Sequence, residues 1–438
     1  MSLSRTHLHA EAEAQFAAAA AKLARLRSLD PVLLDVSLRE PCFSAYLGHT
    51  LQNKIDLLPL VERFGIRDKV VATLDFQDPS HPQVENQFCD YLNATGYDLT
   101  GCFALTAVGS IGPNGFEPDQ SMLRLLHYRI PNSMHEIYLM DPSSADHADV
   151  LARVAASVAW LRQHVTGDHG GAPRIYLNVV DLIDAFFADR PWCFQMLDLL
   201  AELDVDAVSF EDGRGSYFPF QVGAMVKAMK ALLRPGQKVL FHAHTGNGME
   251  NAAVLEALLE GADGYWAGME KESSTIGHAS MGELVANLVR AGNAQMAARY
   301  RVDELLPICH AMHRINNETA PPASWPIQGA NAYRQMLSGF DQVAGRAMDL
   351  APAAIGGRYT FRVSPDGSDA PVLQGRVREV MGIDIDADCA TRMILLMRRD
   401  LCDGVRLRYD APDQLRLLYQ RAIDGEAALA PTVGVRRA

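Results

Sequence analysis

The chain has 438 residues, of which 48% are hydrophobic, and carries a formal net charge of −13 at pH 7. This length suffices for a large core and for two or three structural units, and the acidic balance argues against nucleic acid as the main partner. The seven scattered cysteines include no C-x-x-C pair, which argues against a thiolate zinc site or a disulfide framework. They favour a reduced, cytoplasmic protein.

The first 29 residues predict a surface helix. The stretch HAEAEAQFAAAAAKLARLRSL is rich in alanine and mixes acidic with basic residues. A transit peptide would be poor in acids, and a signal peptide would need an apolar core and a cleavage site. No run of 18 apolar residues occurs in the chain, so no membrane span is expected.

Short apolar runs follow along the first two-thirds of the chain, and most gaps between them have apolar residues at helical spacing. The eight runs are PVLLDVS (31–37), KVVATLDF (69–76), CFALT (102–106), EIYLMD (136–141), RIYLNVV (174–180), DAVSFED (206–212), KVLFHAH (238–244) and GYWAG (264–268). Strands that alternate with helices predict a parallel sheet, and eight units predict a closed (β/α)8 barrel over residues 30–297. An open doubly wound sheet is the alternative, although no G-x-G-x-x-G follows an early strand.

Polar side chains gather where the predicted strands end. His242 and His244 lie two positions apart at the end of the seventh run, so their rings face the same side of a strand and can hold one metal ion. The other strand-end residues are Asp35, Arg39 and Glu40 after the first run and Glu211 and Asp212 after the sixth. Because (β/α)8 barrels carry their active sites at the carboxyl ends of the strands, the pattern predicts a metal-dependent site there.

These segments resemble motifs of the DRE-TIM metallolyase superfamily, which includes isopropylmalate and homocitrate synthases, hydroxymethylglutaryl-CoA lyase, hydroxy-oxovalerate aldolase and the carboxyltransferase domain of pyruvate carboxylase. LLDVSLREP resembles the D-T-T-L-R-D/E-G opening, and FHAHTGNG resembles the H-x-H-N-x-x-G strand. EDGRGSYFP keeps the D-x-x-G-x-x-x-P spacing, and IYLMDPSSADH is similar to the T-S-D-x-H segment of the fourth strand. The resemblance covers residues 30–290.

A second resemblance lies downstream of the barrel. PIQGANAYRQMLSGFDQVAGRAMDLAPAAIGGRY resembles the G-x-N-A-F-x-H-E-x-G-I-H subdomain of isopropylmalate and homocitrate synthases, which favours the synthase branch. Residues 298–438 are therefore expected to form a small, mostly helical subdomain and tail, with the proline-rich stretch 317–329 as its linker. The family also implies a homodimer.

The resemblance implies one divalent metal ion per chain, held by Asp35, His242 and His244. Family members add an asparagine from a G-E-R-x-G-N segment, and His278 falls at that distance here. His278 is expected to be a further ligand, with a residue turned toward the substrate as the alternative. A third imidazole favours zinc, manganese or iron over magnesium, which prefers oxygen ligands.

The mechanism that the resemblance implies begins with a 2-oxo acid bound to the metal, which polarises its carbonyl. Arg39 would stabilise an enolate or alkoxide oxygen, and Glu40 would orient Arg39 or a metal-bound water. The alternative for this pair is a salt bridge that closes the barrel mouth. The further candidates are Asp181 for catalysis and Asp75 and Asp212 for substrate binding.

The chain departs from the synthase pattern where proton transfer is needed. NVVD replaces S-A-E-D, so Val180 stands at the glutamate position, and the second histidine of the subdomain motif falls on Phe340, or on Asp341 after a one-residue shift. Neither valine nor phenylalanine can move a proton, so the base for an acetyl-CoA methyl group is open. His310 and His313, at helical i, i+3 spacing, are expected to be surface or packing residues.

The primary functional prediction is a divalent-metal-dependent acyltransferase that condenses an acyl-CoA with a 2-oxo acid. A metal-dependent lyase or aldolase that works through an enolate is the second, because the metal and Arg39 serve both directions. A non-catalytic homologue is the third. Carboxyl transfer is less favoured, because Gly213 follows Asp212 where a lysine would be expected.

Overall fold

The structure of the protein is a computed structural model that describes residues 5–40, 47–74, 82–140, 146–272, 276–335, 337–338 and 350–425. The chain divides into two compact units, Met1–Ala320 and Pro321–Ala438. Within the described ranges, no helix is both long enough and apolar enough to span a bilayer.

Eight parallel strands close into a barrel in the first unit. They are β1 Val32–Asp35, β2 Lys69–Thr73, β3 Cys102–Thr106, β4 Asn132–Tyr138, β5 Ile175–Val180, β6 Ala207–Asp212, β7 Lys238–Ala243 and β8 Gly264–Ala267. Each strand pairs with the next in chain order, and β8 pairs with β1 to complete the ring. The predicted (β/α)8 fold is confirmed.

The barrel strands read as apolar runs because both of their faces are buried, one against helices and one inside the barrel. A single core cluster takes at least one side chain from every strand, including Phe103, Tyr176 and Trp266. The rings of Phe103 and Tyr176 lie 4.8 Å apart between their centroids. This packing fixes the strand ends whose polar residues form the site.

The fourth strand begins earlier than its apolar pattern predicts. The pattern indicates residues 136–141, whereas β4 spans Asn132–Tyr138. Its polar residue His135 is fully buried, and the ring Nδ1 lies 2.8 Å from Thr106 Oγ1. Because a hydrogen bond makes a polar side chain compatible with the interior, hydrophobicity alone misplaces this strand.

Helices connect the strands and cover the barrel. The predicted N-terminal helix is α1 Arg5–Ser28. The other helices of this unit are α2 Leu51–Phe64, α3 Val84–Ala94, α4 Gln120–His127, α5 His147–His164, α6 Leu182–Ala188, α7 Arg190–Glu202, α8 Pro219–Leu232, α9 Glu250–Glu260, α10 Met281–Arg290, α11 Ala294–Arg299 and α12 Leu305–Asn317. Helix α9 is followed by the C-cap Gly261 (φ 112°). The third connection contains a hairpin, Ser110–Gly112 and Gly115–Glu117, before α4.

The second unit is mostly helical, as predicted. It contains α13 Ala370–Met381, α14 Ala387–Cys402, α15 Pro412–Asp424 and a short parallel pair, Arg334–Gln335 with Thr360–Phe361. The helices pack around an apolar cluster that includes Met393 and Leu418. Arg421 forms a buried ion pair with Asp400, with two N–O distances of 2.7 and 3.0 Å.

Candidate metal centre

Three histidines converge at the carboxyl end of the barrel. His242 lies in β7 and His244 follows it, while His278 belongs to the segment after β8 and forms a short antiparallel bridge with His244. One ligand atom from each ring lies within 4.8 Å of the other two. Among the described residues, this is the only group of three histidine, cysteine or acidic side chains close enough to hold a metal ion.

His242 is oriented by the end of β8. Its Nδ1 lies 2.9 Å from the Trp266 carbonyl oxygen, and its ring stacks on the Trp266 indole. Because a carbonyl only accepts, Nδ1 carries the hydrogen and the lone pair of Nε2 faces His244 Nε2, 3.1 Å away. Metal-binding histidines usually donate their other ring N–H to a carbonyl or carboxylate in this way. Burial lowers the pKa of His242 to about 3, so the ring is neutral, the form that binds metals.

His278 is fully buried, and neither of its ring nitrogens has a hydrogen-bond partner among the described residues. Glu40 Oε1 lies 3.7 Å from His278 Nε2, which is beyond hydrogen-bond distance. Burial, together with the neighbouring His242 and His244, holds the pKa of His278 well below its usual range. A buried unpaired nitrogen is costly, and a divalent metal among the three rings would satisfy it. The residues present therefore fit such an ion.

Arg39 and Glu40 lie beside this group, after β1. Arg39 Nε donates a hydrogen bond to Thr73 Oγ1 at the end of β2, over 2.7 Å, and its guanidinium forms a buried ion pair with Glu40. Since Glu40 also approaches His278, the pair bridges β1 and the histidine group. The structure thus brings Arg39 and Glu40 to the predicted position.

Glu211, which the sequence places at a strand end without a role, also faces the histidines. Its Oε1 lies 3.3 Å from His244 Nε2, and its Oε2 accepts a hydrogen bond from Asn178 Nδ2 over 2.7 Å. Burial by itself raises the pKa of Glu211, but the hydrogen bond with His244 and the nearby His242 outweigh burial and hold this pKa below its usual range. Its position at the end of β6 was a usable signal, whereas nothing in the sequence marks Asn178.

Asp35, like Glu211, lies outside the three-histidine group, whose ligand atoms all lie within 4.8 Å of one another. Its two carboxylate oxygens accept hydrogen bonds from Ser37, one from the backbone N over 3.0 Å and one from Oγ over 2.9 Å. Ser37 Oγ in turn accepts from the backbone N of Met269, so Asp35 joins the end of β1 to the segment after β8. Burial raises the pKa of Asp35 to about 7. A role as metal ligand stays a prediction.

The other predicted aspartates lie around the β6 loop or outside the described residues. Asp212 accepts hydrogen bonds from the backbone N of Ser216 and of Tyr217, over 2.9 and 2.8 Å, and so shapes the loop. Asp181 accepts one from the backbone N of Gly213, and burial raises the pKa of its carboxyl. Asp75, Phe340 and Asp341 lie outside the described residues.

Val180, His310 and His313 are the other residues whose positions bear on proton transfer. Val180 ends β5 and is in register with Glu211 on β6. His313 is buried in α12, within the first unit, and its Nδ1 lies 2.7 Å from Glu270 Oε2. His310 is half-buried on the same helix. His313 is therefore a packing residue with a buried polar partner and not a surface residue.

The fold and the site together define a (β/α)8 barrel with a three-histidine group at its mouth. The sequence matches no family model and no curated protein. Among solved structures it is similar to the HMG-CoA lyase of Bacillus subtilis, at 14% identity and a TM-score of 0.52, over 67% of this chain and 96% of that chain. It is also similar to the hydroxymethylglutaryl-CoA lyase of Pseudomonas aeruginosa, at 13% identity and a TM-score of 0.53, over 67% and 95%. Similarity at this identity supports the barrel fold, and the synthase branch stays a prediction.

Proposed function

We propose that the protein is a divalent-metal-dependent enzyme that makes or breaks a carbon–carbon bond next to the carbonyl of a 2-oxo acid. One observation carries this proposal: three imidazoles, two of them fully buried, converge beside Arg39 at the carboxyl ends of the barrel strands. This is the face on which (β/α)8 enzymes bind substrates and carry out their chemistry.

The chain's own residues have distinct tasks in such a reaction. His242, His244 and His278 would hold the metal, which supplies a Lewis acid that polarises the substrate carbonyl. Thr73 and Glu40 hold the Arg39 guanidinium in place, so a fixed positive charge is available for the oxygen that becomes negative in the transition state. Because these side chains are buried and mutually bonded, little reorganisation accompanies charge development.

Condensation of an acyl-CoA with a 2-oxo acid is the first specific form that we propose. It rests on the resemblance of the segment after the barrel to the synthase subdomain. In this form the acyl methyl group must lose a proton, and Asp181 is the candidate base at the end of β5, because burial raises the pKa of its carboxyl.

Cleavage of a hydroxy or oxo acid through an enolate is the second form. It is favoured by Val180, which ends β5 where the synthases carry their glutamate and which cannot transfer a proton. The same metal ligands and the same arginine serve this direction, in which the 2-oxo acid itself becomes the enolate.

Two assays on metal-loaded full-length protein distinguish these forms. Release of free thiol from acetyl-CoA with a panel of 2-oxo acids is expected for condensation. Metal-dependent deuterium incorporation at C3 of pyruvate in D₂O, and pyruvate release from 4-hydroxy-2-oxo acids, are expected for cleavage. Arg39→Lys should lower kcat by about 100-fold or more in the active assay. Metal-loaded protein that is inactive in every assay would reject the proposal.

A further inference from the structure

We infer that Glu211 is the fourth protein ligand of the metal and that Asp35 is not a ligand. This inference rests on the metal-dependent function proposed above and specifies the ligand set. The resemblance implies an aspartate at the end of β1, whereas the geometry points to a glutamate at the end of β6.

The position of Glu211 favours it as a metal ligand. Glu211 is in register with His242 on the neighbouring strand β7, so the two residues lie at the same height along the barrel. Glu211 Oε1 lies 3.3 Å from His244 Nε2, and that same nitrogen lies 3.1 Å from His242 Nε2. His244 Nε2 therefore lies next to both a carboxylate oxygen and a second imidazole nitrogen.

The orientation of the Glu211 carboxylate also suits a metal ligand. Asn178 on β5 donates a hydrogen bond to Glu211 Oε2 over 2.7 Å. This bond fixes the carboxylate with its other oxygen, Oε1, turned toward the histidines. A partner that binds one oxygen and leaves the second for the ion is the usual support of a ligating carboxylate.

The negative charge of Glu211 also favours a metal ion beside it. In the part of the chain that the structure describes, Glu211 has no lysine or arginine within ion-pair distance, and His244 is its only ion-pair contact. Glu40, the other carboxylate beside the histidines, is paired with Arg39. Buried carboxylates are normally compensated by a cation or a metal, and a divalent ion among the three imidazoles would supply that positive charge to Glu211.

Asp35 is already held by other hydrogen bonds. Both of its oxygens accept hydrogen bonds from Ser37, and Ser37 Oγ also accepts from the backbone N of Met269. In the part of the chain that the structure describes, Asp35 has no hydrogen bond or ion pair with the three histidines, whereas Glu211 contacts His244. Asp35 is therefore a structural residue of the barrel rim.

The ligand set also bears on the choice of metal. Three imidazoles and one carboxylate fill the four positions that zinc takes in a closed structural site. Manganese, iron and cobalt accept six donors, which would keep two positions for the two oxygens of a 2-oxo acid. We therefore expect manganese or iron in the active protein, in preference to zinc.

The test measures metal binding by the full-length protein after removal of metal with a chelator. Cobalt(II) is titrated in, with visible absorption as the readout of its ligands and a competing chelator as the readout of affinity. Glu211→Gln keeps the acceptor for Asn178 and removes the charge. Glu283→Gln is the control, because Glu283 is also a buried glutamate that accepts an amide hydrogen bond, from Asn251 over 2.6 Å, and it makes no hydrogen bond or ion pair with the three histidines among the described residues. Asp35→Asn tests the alternative.

We expect wild type to bind one cobalt ion, Glu211→Gln to bind it at least about 100-fold more weakly with altered absorption bands, and the other two variants to bind as wild type does. Glu211→Asp, which keeps the charge on a shorter arm, should recover part of the affinity, and circular dichroism checks the fold of each variant. Unchanged binding by Glu211→Gln, or loss of binding in Asp35→Asn, would overturn the inference and leave the proposed function standing. A wild type that binds no metal at all would reject the proposed function itself.

Discussion

A buried histidine outside the three-histidine group, His135 in β4, has a different role. Its Nδ1 is 2.8 Å from Thr106 Oγ1, and burial lowers its pKa from 6.5 to about 4, against a small opposing effect of Asp119. The folded state therefore disfavours the protonated ring. The stability that depends on neutral His135 is complete above pH 6.5 and is lost as the pH falls toward 4, by up to about 3 kcal/mol.

Urea denaturation of wild type and of His135→Asn, at several pH values between 4 and 8, measures this effect. Asparagine keeps a polar atom near the position of Nδ1 and cannot titrate. The free energy of unfolding of wild type should fall more steeply below pH 6.5 than that of the variant, by up to about 1.4 kcal/mol per pH unit. Parallel pH profiles would show that His135 accepts its proton in the fold without penalty.

Only part of the candidate site could be predicted residue by residue. His242 and His244 share a strand, so their i, i+2 spacing carries the information. Asn178 and Glu211 are 33 residues apart and meet only because β5 and β6 are neighbours. The Ser37 contacts that occupy Asp35 are likewise invisible in a motif. Local spacing predicts which residues leave one strand together, whereas hydrogen bonds between strands decide which way each side chain turns.

At the scale of elements, the loops after β6 and β7 contact each other at Gly215 and Gly246. A Cβ on Gly246 would lie 2.1 Å from the Arg214 carbonyl oxygen, a distance that no side-chain carbon can adopt. Gly246→Ala must therefore push the two loops apart and displace His244, two residues upstream. We expect metal affinity to fall by about 10-fold or more, measured by competition with a chelator.

Gly248→Ala is the control within the same loop. Gly248 has a φ of 76°, and a Cβ added there would have no atom of the described residues within 4 Å, apart from its chain neighbours. This substitution should cost about 1–2 kcal/mol of stability through backbone strain alone and leave the histidines in place. If both variants bind metal equally well, contact between the loops does not position His244.

The packing of α2 on α3 depends on a buried ion pair. Lys54 Nζ lies 2.6 Å from Glu85 Oε2, both side chains are almost fully buried, and the ammonium also lies over the Phe88 ring. Removing one partner leaves a buried charge without compensation. Glu85→Ala should therefore lower the free energy of unfolding by about 3–5 kcal/mol.

A double variant tests whether the ion pair or its burial matters. Lys54→Met combined with Glu85→Leu replaces both charges by apolar side chains of similar size, so it should recover most of the stability lost in Glu85→Ala. The measurement is urea denaturation of the single and double variants. A double variant that is less stable than Glu85→Ala would mean that the pair is net favourable.

The elements themselves were largely predictable. All eight barrel strands overlap apolar runs, because strands buried on both faces need continuous hydrophobicity. The beginning of β4 was missed because His135 and its polar neighbours reach hydrogen-bond partners inside the barrel. The hairpin Ser110–Gly112 with Gly115–Glu117 was missed because its short strands are largely exposed and carry no apolar run.

At the scale of the whole molecule, the candidate metal centre belongs to one unit. The three histidines and Glu211 all lie within Met1–Ala320, and their support by Trp266 and Asn178 lies there too. Pro321–Ala438 has an apolar core of its own, built on α13, α14 and α15. The sequence predicted an additional subdomain from its motif, but a motif does not indicate which elements share a core.

Residues 1–320 alone should therefore fold and bind one metal ion with the affinity of the full chain, since every proposed ligand is present. Circular dichroism and cobalt titration of the two proteins measure this. If the first unit is also the whole catalyst, it should retain cleavage activity. If the protein is a condensing enzyme of the synthase kind, the shortened protein should keep its metal and lose thiol release from acetyl-CoA. A shortened protein that is folded but no longer binds metal would show that the second unit contributes to the site.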